Sequence, residues 1–290
     1  MDARRAVVVG VDGSAQALRA VRWAVPEARR RRAVLRLITA LAWTNDQMAG
    51  LPGMGAAPYG AYLRRGAENG LAAAAVAAAE VDPDVPVEQD LVVGFPGGVL
   101  HEQSQTAELL VVGDSGRGRI ASALAGSVAI GVVARSACPV VVVRGGTPAP
   151  GAPVVVGIDG TPVSEAAIPF AFEEAVARRV PLVAVHTWLD ELDDPAVAEL
   201  VDWQSAAVWA DEVLAERLAG WGEKYPDVAV QRLVTRGLAG HALLDQAATA
   251  QLVVVGSHGH GEIAGLLLDS VSNALVHKAG CPVAVVRARG

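Results

Sequence analysis

Leu109-Leu110-Val111-Val112-Gly113-Asp114-Ser115-Gly116 is an apolar run that breaks into a Gly-rich turn, and nine further residues lead from it to Gly126-Ser127. Four consecutive aliphatic side chains suit a short strand buried on both faces of a parallel sheet. The pattern Gly-x2-Gly-x9-Gly-Ser then reads as a loop delivering the chain to a helix that opens at Gly126-Ser127. Backbone N–H groups of such a loop and of the first helical turn converge, and both favour an anion, most often a phosphate. The segment recurs at Leu252-Val253-Val254-Val255-Gly256-Ser257-His258-Gly259, with Asp269-Ser270 in place of Gly126-Ser127. The expectation is a nucleotide-binding unit built twice, the second copy departing further from the pattern.

The duplication extends over the whole chain. Val7-Val8-Val9-Gly10-Val11-Asp12-Gly13-Ser14 matches Val154-Val155-Val156-Gly157-Ile158-Asp159-Gly160-Thr161 at an offset of 147, whereas Gly113 and Cys138 match Gly256 and Cys281 at an offset of 143. Between residues 113–144 and 256–287, 15 of 32 positions are identical, far more than unrelated segments share. The first copy therefore has the longer middle, and its Gly/Pro-rich stretch at 48–58 reads as a loop over the first crevice. Arg144 to Ala152 has the Gly/Pro composition of a linker, so domains are expected at 1–145 and 152–290.

Within each copy, Val/Leu/Ile runs alternate with Ala-rich helical stretches. In the first, strands are expected near 6–11, 33–40, 87–93, 109–113 and 139–143, with helices near 14–31, 59–80, 98–106 and 126–136. In the second, strands are expected near 153–158, 181–187, 228–235, 252–256 and 282–287, with helices near 164–179, 204–223, 240–249 and 269–279. The fold class is α/β: two Rossmann-like domains, each a five-stranded parallel sheet with helices on both faces. Ligands of such sheets sit outside the carboxyl ends of the strands, which is where Asp12 and the loop from Gly113 fall.

Composition narrows the function classes. The chain of 290 residues is 52% hydrophobic, with a mean hydropathy of +0.35. Charges or Gly interrupt every apolar run well short of a bilayer span, and the first residues carry no signal-peptide pattern, so a cytoplasmic protein is expected. A net charge of −7 argues against a nucleic-acid partner. The single basic run, Arg29 to Arg32, falls at a helix end and reads as solvated cations complementing the dipole. Cys138 and Cys281 occupy equivalent Cys-Pro-Val settings and read as small buried hydrophobes rather than a disulfide. His101, His186, His241 and His277 have no metal-site spacing; Trp188 reads as core packing before base stacking, and Trp203, Trp209 and Trp221 read as a buried helix face or a dimer contact.

Taken together, Val-Gly-Val-Asp-Gly-Ser at 9–14, the Gly-x2-Gly-x9-Gly-Ser motif at 113–127 and Cys-Pro-Val-Val-Val-Val at 138–143 resemble the universal stress protein family, in its tandem, actinobacterial form. The resemblance covers almost the entire chain and implies ATP, with Mg²⁺ on its phosphates, as the ligand. In the first domain it assigns the phosphates to Gly113, Asp114, Ser115, Gly116, Arg117, Gly118, Arg119, Gly126, Ser127 and Val128. Gly10 and Asp12 would flank the nucleoside, with the adenine edge near Ala40. The second-domain counterparts are Gly157, Asp159, Thr187, Gly256, Ser257, His258, Gly259, His260, Gly261, Glu262, Ser270, Val271 and Ser272. Asp12 and Asp159 would lie near the metal. A homodimer through a domain's last strand, 139–143 or 282–287, and a regulatory protein partner are also implied.

Several readings stay open on the residues themselves. Asp12 and Asp159 suit an Asx turn or cap entering the first helix as well as a ligand contact. Arg117 and Arg119 can clamp terminal phosphates or be solvated, and His260 assists an anion only when protonated. Asp269 in the first turn of its helix can occupy the anion site, repel a triphosphate, or cap the helix from the solvent side. Asp114, where the family has Ser, is expected to point away from the phosphates. No Lys follows a Gly-rich turn as in a P-loop, no Gly-x-Ser-x-Gly elbow is present, and no carboxylate pair stands out as an acid and base. The expectation is a nucleotide-dependent stress-response or dormancy regulator rather than an enzyme. The alternatives are a nucleotide-free scaffold, a cyclic-AMP sensor, and an α-hydrolase acting at the α-phosphate.

Overall fold

The computed structural model describes residues 5–42, 56–116, 126–146, 148–188, 203–257 and 270–287. The chain divides into two compact units, Met1–Val143 and Arg144–Gly290. The first contains β1 (Ala6–Gly10), α1 (Ala15–Arg31), β2 (Val34–Leu41), α2 (Ala56–Val81), β3 (Val87–Val93), α3 (Pro96–Ser104), β4 (Leu109–Gly113), α4 (Ser127–Arg135) and β5 (Val140–Val143). Its strands lie in the order β3-β2-β1-β4-β5, and every neighbouring pair is parallel. The second contains β6 (Val154–Gly157), α5 (Pro162–Glu165), α6 (Ala167–Arg178), β7 (Leu182–Trp188), α7 (Trp203–Leu218), α8 (Trp221–Lys224), β8 (Val230–Arg236), α9 (Ala239–Ala247), β9 (Leu252–Ser257), α10 (Ser270–Lys278) and β10 (Val283–Arg287). Its order, β8-β7-β6-β9-β10, repeats the first, again with all pairs parallel.

The central strands are the aliphatic runs, and they are buried along almost their full length: Val7, Val9, Leu109, Leu110 and Val111 are wholly inaccessible, as are Val154, Val155 and Val156. Helices cover them with small residues. In α1, Ala17, Ala20, Val21, Ala24, Val25 and Ala28 form the buried stripe at i, i+3, i+4 spacing, and Ser14 caps the helix by accepting from the Ala17 N–H at 3.1 Å. Arg32 ends it in the left-handed conformation, φ 51°, and the equivalent Arg179 ends α6 with φ 55°.

Local chemistry moves three of the expected boundaries. The helix expected at 164–179 is two helices, because Pro169 has no N–H to offer the Glu165 carbonyl and the ladder breaks at Ala166. The helix expected at 204–223 likewise divides, at Gly220 with φ 78°, and the short helix beyond it serves a different purpose. It stacks Trp221 on Phe172 with ring centroids 5.7 Å apart, while Tyr225 stacks on the same ring at 5.3 Å. The helix expected to start at 59 starts at Ala56, so the end of the Gly/Pro-rich stretch belongs to α2 and the rest of it, through residue 55, lies outside the described residues.

The basic run at 29–32 is not simply solvated. Arg30 and Arg31 pair with Glu27, a carboxylate only 1% exposed, and Arg29 reaches Asp82 and Asp84 at 3.8 and 3.9 Å. The equivalent buried Glu174 accepts from Arg178 Nε at 3.0 Å, and Arg178 in turn donates to Gln251 Oε1 at 3.0 Å. Gln251 closes the chain by donating to the Ala152 carbonyl at 2.6 Å. Each unit thus holds one carboxylate inside its helical layer, matched by guanidinium from the same helix.

Removing one partner of such a pair leaves the other charged and buried. Glu174→Ala is therefore expected to destabilise the second unit by about 3–5 kcal/mol, read as a lower urea midpoint at unchanged m-value. The thiols give a second expectation. Cys138 and Cys281 are both free and buried, and burial pushes the Cys281 thiol up to about 12 from 9.0. A thiol whose folded pKa is raised stabilises the fold below its unfolded value and loses that contribution as pH rises from 9 towards 12. At pH 8 neither cysteine should react with iodoacetamide until the chain is unfolded, which mass spectrometry of the labelled protein checks.

Candidate functional site

Each sheet changes direction at its middle. From β1 the chain crosses to β2 and β3 on one side and to β4 and β5 on the other, and β6 with β9 repeats the arrangement. The carboxyl ends of β1 and β4 therefore flank a crevice, and those of β6 and β9 flank another.

In the first unit, Asp12 follows β1 and its Oδ1 accepts from the Ser14 N–H at 2.9 Å, the Asx turn that feeds α1. That turn sits hard against the end of β4. A Cβ on Gly113 would lie 2.9 Å from the Gln16 backbone carbon, and one on Gly116 would lie 2.6 Å from Asp12 Oδ2. Gly113 is thus required by the fold, whereas Gly116 gives way to a carboxylate. Gly126 donates its N–H to the Asp114 carbonyl at 2.7 Å and caps α4 without a side chain. Among the described residues a Cβ there would meet nothing closer than 3.6 Å, and its backbone, φ −65° and ψ 150°, is open to any residue. Ser127 and Val128 are exposed in the first turn of α4, and Ala40 and Gly10 are half-buried at their strand ends. Asp114 turns towards Arg19 on α1, Oδ1 to Nη2 3.6 Å, and Ser115 Oγ lies 3.4 Å from the same oxygen.

The second unit keeps the same frame with altered details. Asp159 Oδ1 accepts from both the Thr161 N–H at 2.8 Å and the Thr161 hydroxyl at 2.7 Å. A Cβ on Gly256 would fall 2.4 Å from the Val163 carbonyl oxygen, which matches the contact of Gly113 with Gln16. The Arg19–Asp114 pair is lost as a pair, with Ala166 and Ser257 in the equivalent places. Here the crevice is a shallow cleft, open to solvent on one side. It gathers Gly157, Asp159, Thr187, Gly256, Val271 and Ser272, six positions named from the sequence. Ser272 fixes the first turn of α10 by donating to the Gly256 carbonyl at 3.0 Å.

Not every named residue joins this cleft. Ser257 is buried in β9 and does not line it, and Ser270 opens α10. Arg117, Gly118, Arg119, His258, Gly259, His260, Gly261, Glu262 and Asp269 lie outside the described residues. Sequence reading missed the apolar half of the lining, Val163, Val185, Ala239, Leu243 and Val255. Two signals were available: Val185 shares a strand face with Thr187, and Ala239 and Leu243 share a helix face at i, i+4. His186 is buried, and its Nδ1 donates to the Ile158 carbonyl at 2.7 Å, just as the hydroxyl of the equivalent Thr39 donates to Val11 at 2.8 Å. It is a structural latch between strands. Trp209, by contrast, is 63% exposed on α7 and packs no core.

Two doubly wound α/β domains, each with a crevice at its switch point, define the class of protein. The chain belongs to the universal stress protein family, which it matches over residues 3–144 and 152–287. It is 42% identical to universal stress protein Rv2005c of Mycobacterium tuberculosis over 97% of this chain and 96% of that one. A universal stress protein of Mycolicibacterium smegmatis is 39% identical over 98% and 97% of the two chains. The fold is similar to the crystal structure of a universal stress protein from Archaeoglobus fulgidus, with a TM-score of 0.72 and 18% identity over 97% of this chain and 98% of that one.

The glycines separate fold from ligand. Gly256→Ala is expected to lower the melting temperature of the second unit by several degrees, since backbone must move. Gly126→Ala should cost the first unit no more than about 1 kcal/mol, the difference between Gly and Ala at an N-cap. Thermal unfolding of the two variants checks the contrast.

Proposed function

We propose that this protein binds ATP, with Mg²⁺ on the phosphates, at the switch-point crevice of each unit, and that it acts as a nucleotide-dependent regulator in a stress or dormancy response. The observation carrying this reading is the second-unit cleft, where six residues assigned by resemblance come from four separate strand and helix ends to line one space. Its lining combines two chemistries. Asp159, Gly256 and the first turn of α10 give carboxylate, bare backbone and N–H groups, which suit ribose and phosphates. Val185, Ala239 and Leu243 give an apolar wall suited to a base.

A metal fits this scheme only as part of the ligand. Among the described residues no group of three or more His, Cys, Asp or Glu could hold an ion by itself. Asp12 and Asp159 would each offer one carboxylate, and Mg²⁺, which keeps several waters and takes the rest of its ligands from phosphates, is the cation matched to so sparse a donor set. The ion would neutralise phosphate charge beside a protein of net charge −7. The chain's own part is binding and orientation: Asp12 and Asp159 are held by the turn N–H groups, and the helix starts would offer their free amides to the phosphates. A cytoplasmic location, a homodimer and a protein partner that reads the nucleotide state belong to the same reading, supported by membership of the family.

The nucleotide released on denaturing the purified protein, separated by ion exchange and identified by mass, tests the reading. ATP at about two per chain is expected, falling to one in Gly116→Ala, where the added methyl displaces the Asp12 carboxylate. Cyclic AMP in its place would establish the sensor alternative. Absence of nucleotide, with no uptake of added Mg-ATP, would overturn the proposal in favour of the scaffold.

A further inference from the structure

Helices α3 and α9 break the same local rule at the same place. Their N-caps are Phe95 and Leu238, equivalent at the 143 offset, and neither makes a side-chain capping bond. N-caps favour Ser, Thr, Asp or Asn, as Ser14 and Thr161 show in this chain. Here the position carries a large apolar side chain instead, 66% exposed in Phe95 and 47% in Leu238. Each follows a glycine with positive φ, Gly94 at 154° and Gly237 at 117°, which turns the chain off the strand end. Two exposed hydrophobes at duplicated positions, each forgoing a cap, are a cost to the fold without a partner inside it.

Their surroundings say what would cover them. Leu238 precedes Ala239 and lies just over one turn before Leu243, and both of these line the second cleft. Leu243 reaches the strand below, where a Cβ on Gly157 would meet its Cδ1 at 2.9 Å, and Leu100 meets Gly10 in the same way at 3.0 Å. The two helices are therefore seated alike on their sheets. In the first unit Gly94 donates to the Leu41 carbonyl at 3.0 Å, which sets Phe95 just beyond the strand end that carries Ala40.

We propose that Phe95 and Leu238 are specificity-determining residues that close over the base of a bound purine nucleotide, continuing the apolar wall beyond the cleft. The inference rests on the nucleotide reading given above. Covering a base removes apolar surface from water on both partners, and an aromatic ring adds a stacking face. The side chains contribute affinity for the base and nothing for the phosphates.

The full-length double variant Phe95→Ser, Leu238→Ser tests this by titration calorimetry with Mg-ATP and by melting without ligand. Affinity should fall about tenfold, while the unliganded melting temperature should hold or rise because Ser restores a cap. The exchange Phe95→Leu, Leu238→Phe should retain wild-type affinity to within about threefold, since apolar area is kept at both sites. Unchanged ATP affinity in the Ser variant would overturn the proposal and leave the nucleotide reading intact. Equal loss in the Ser and exchange variants would also overturn it, since a structural role would then explain both. A wild-type protein that binds no Mg-ATP would remove the nucleotide reading and this inference with it.

Discussion

The crevice exists because a helix start is pressed onto the end of a strand with no side chain between them. Gly113 against Gln16, and Gly256 against Val163, bring backbone to backbone at distances no Cβ could share. That contact fixes where the Asx turn after the first strand can lie, and hence where Asp12 and Asp159 point. It also sets the fourth strand's loop beside that turn, so that Gly116 faces the Asp12 carboxylate. Glycines commonly credited to ligand approach therefore divide into two kinds. One kind builds the frame, and the other, of which Gly126 is the clear case, has space that the protein itself leaves unfilled.

This division explains what the second copy was free to change. Gly256 keeps its identity because Val163 leaves it no choice, whereas the position equivalent to Gly126 has become Asp269. Nothing in the backbone of Gly126, at φ −65°, forbids a side chain, so the frame itself leaves this position open to substitution. The exchange of Arg19 and Asp114 for Ala166 and Ser257 shows the complementary behaviour. An ion pair beside the crevice was dropped whole, and neither charge was left behind without its partner.

The sheet was almost wholly legible in the sequence, because buried parallel strands are written as unbroken aliphatic runs that nothing else in a polar-surfaced protein resembles. The strand at 109–113 falls where its run places it, and the edge strand at 87–93, VEQDLVV, is found at its expected bounds without such a run. Helix interiors were harder. Pro26 sits inside α1 without breaking it, while Pro169 separates α5 from α6, and the residue type alone does not say which will happen. Of the second cleft, the polar half was legible through the motifs. The apolar half was not, since Val185, Ala239 and Leu243 have the composition of core residues and only their shared faces with neighbouring positions set them apart. The pairing of Arg30 and Arg31 with Glu27 was hidden for a related reason: a run of four cations reads as surface unless its buried counter-ion is known.

Stability and function are distributed differently around each unit. At the entry to the first helix of each unit and within its helical layer the local rules are obeyed: Ser14 and Thr161 cap their helices, left-handed Arg32 and Arg179 end helices, and the buried Glu27 and Glu174 are matched by arginines of their own helix. At the crevice the rules lapse together. Phe95 and Leu238 stand uncapped and exposed, and the Gly126 cap carries no side chain. The apolar caps recur at equivalent positions in two copies that differ at many others, whereas the bare Gly126 cap does not, since Asp269 stands at its equivalent. An exposed apolar cap present in both halves of a duplicated chain, beside the strand ends that carry the cleft, departs from local stability in the way the base-covering role proposed for it requires.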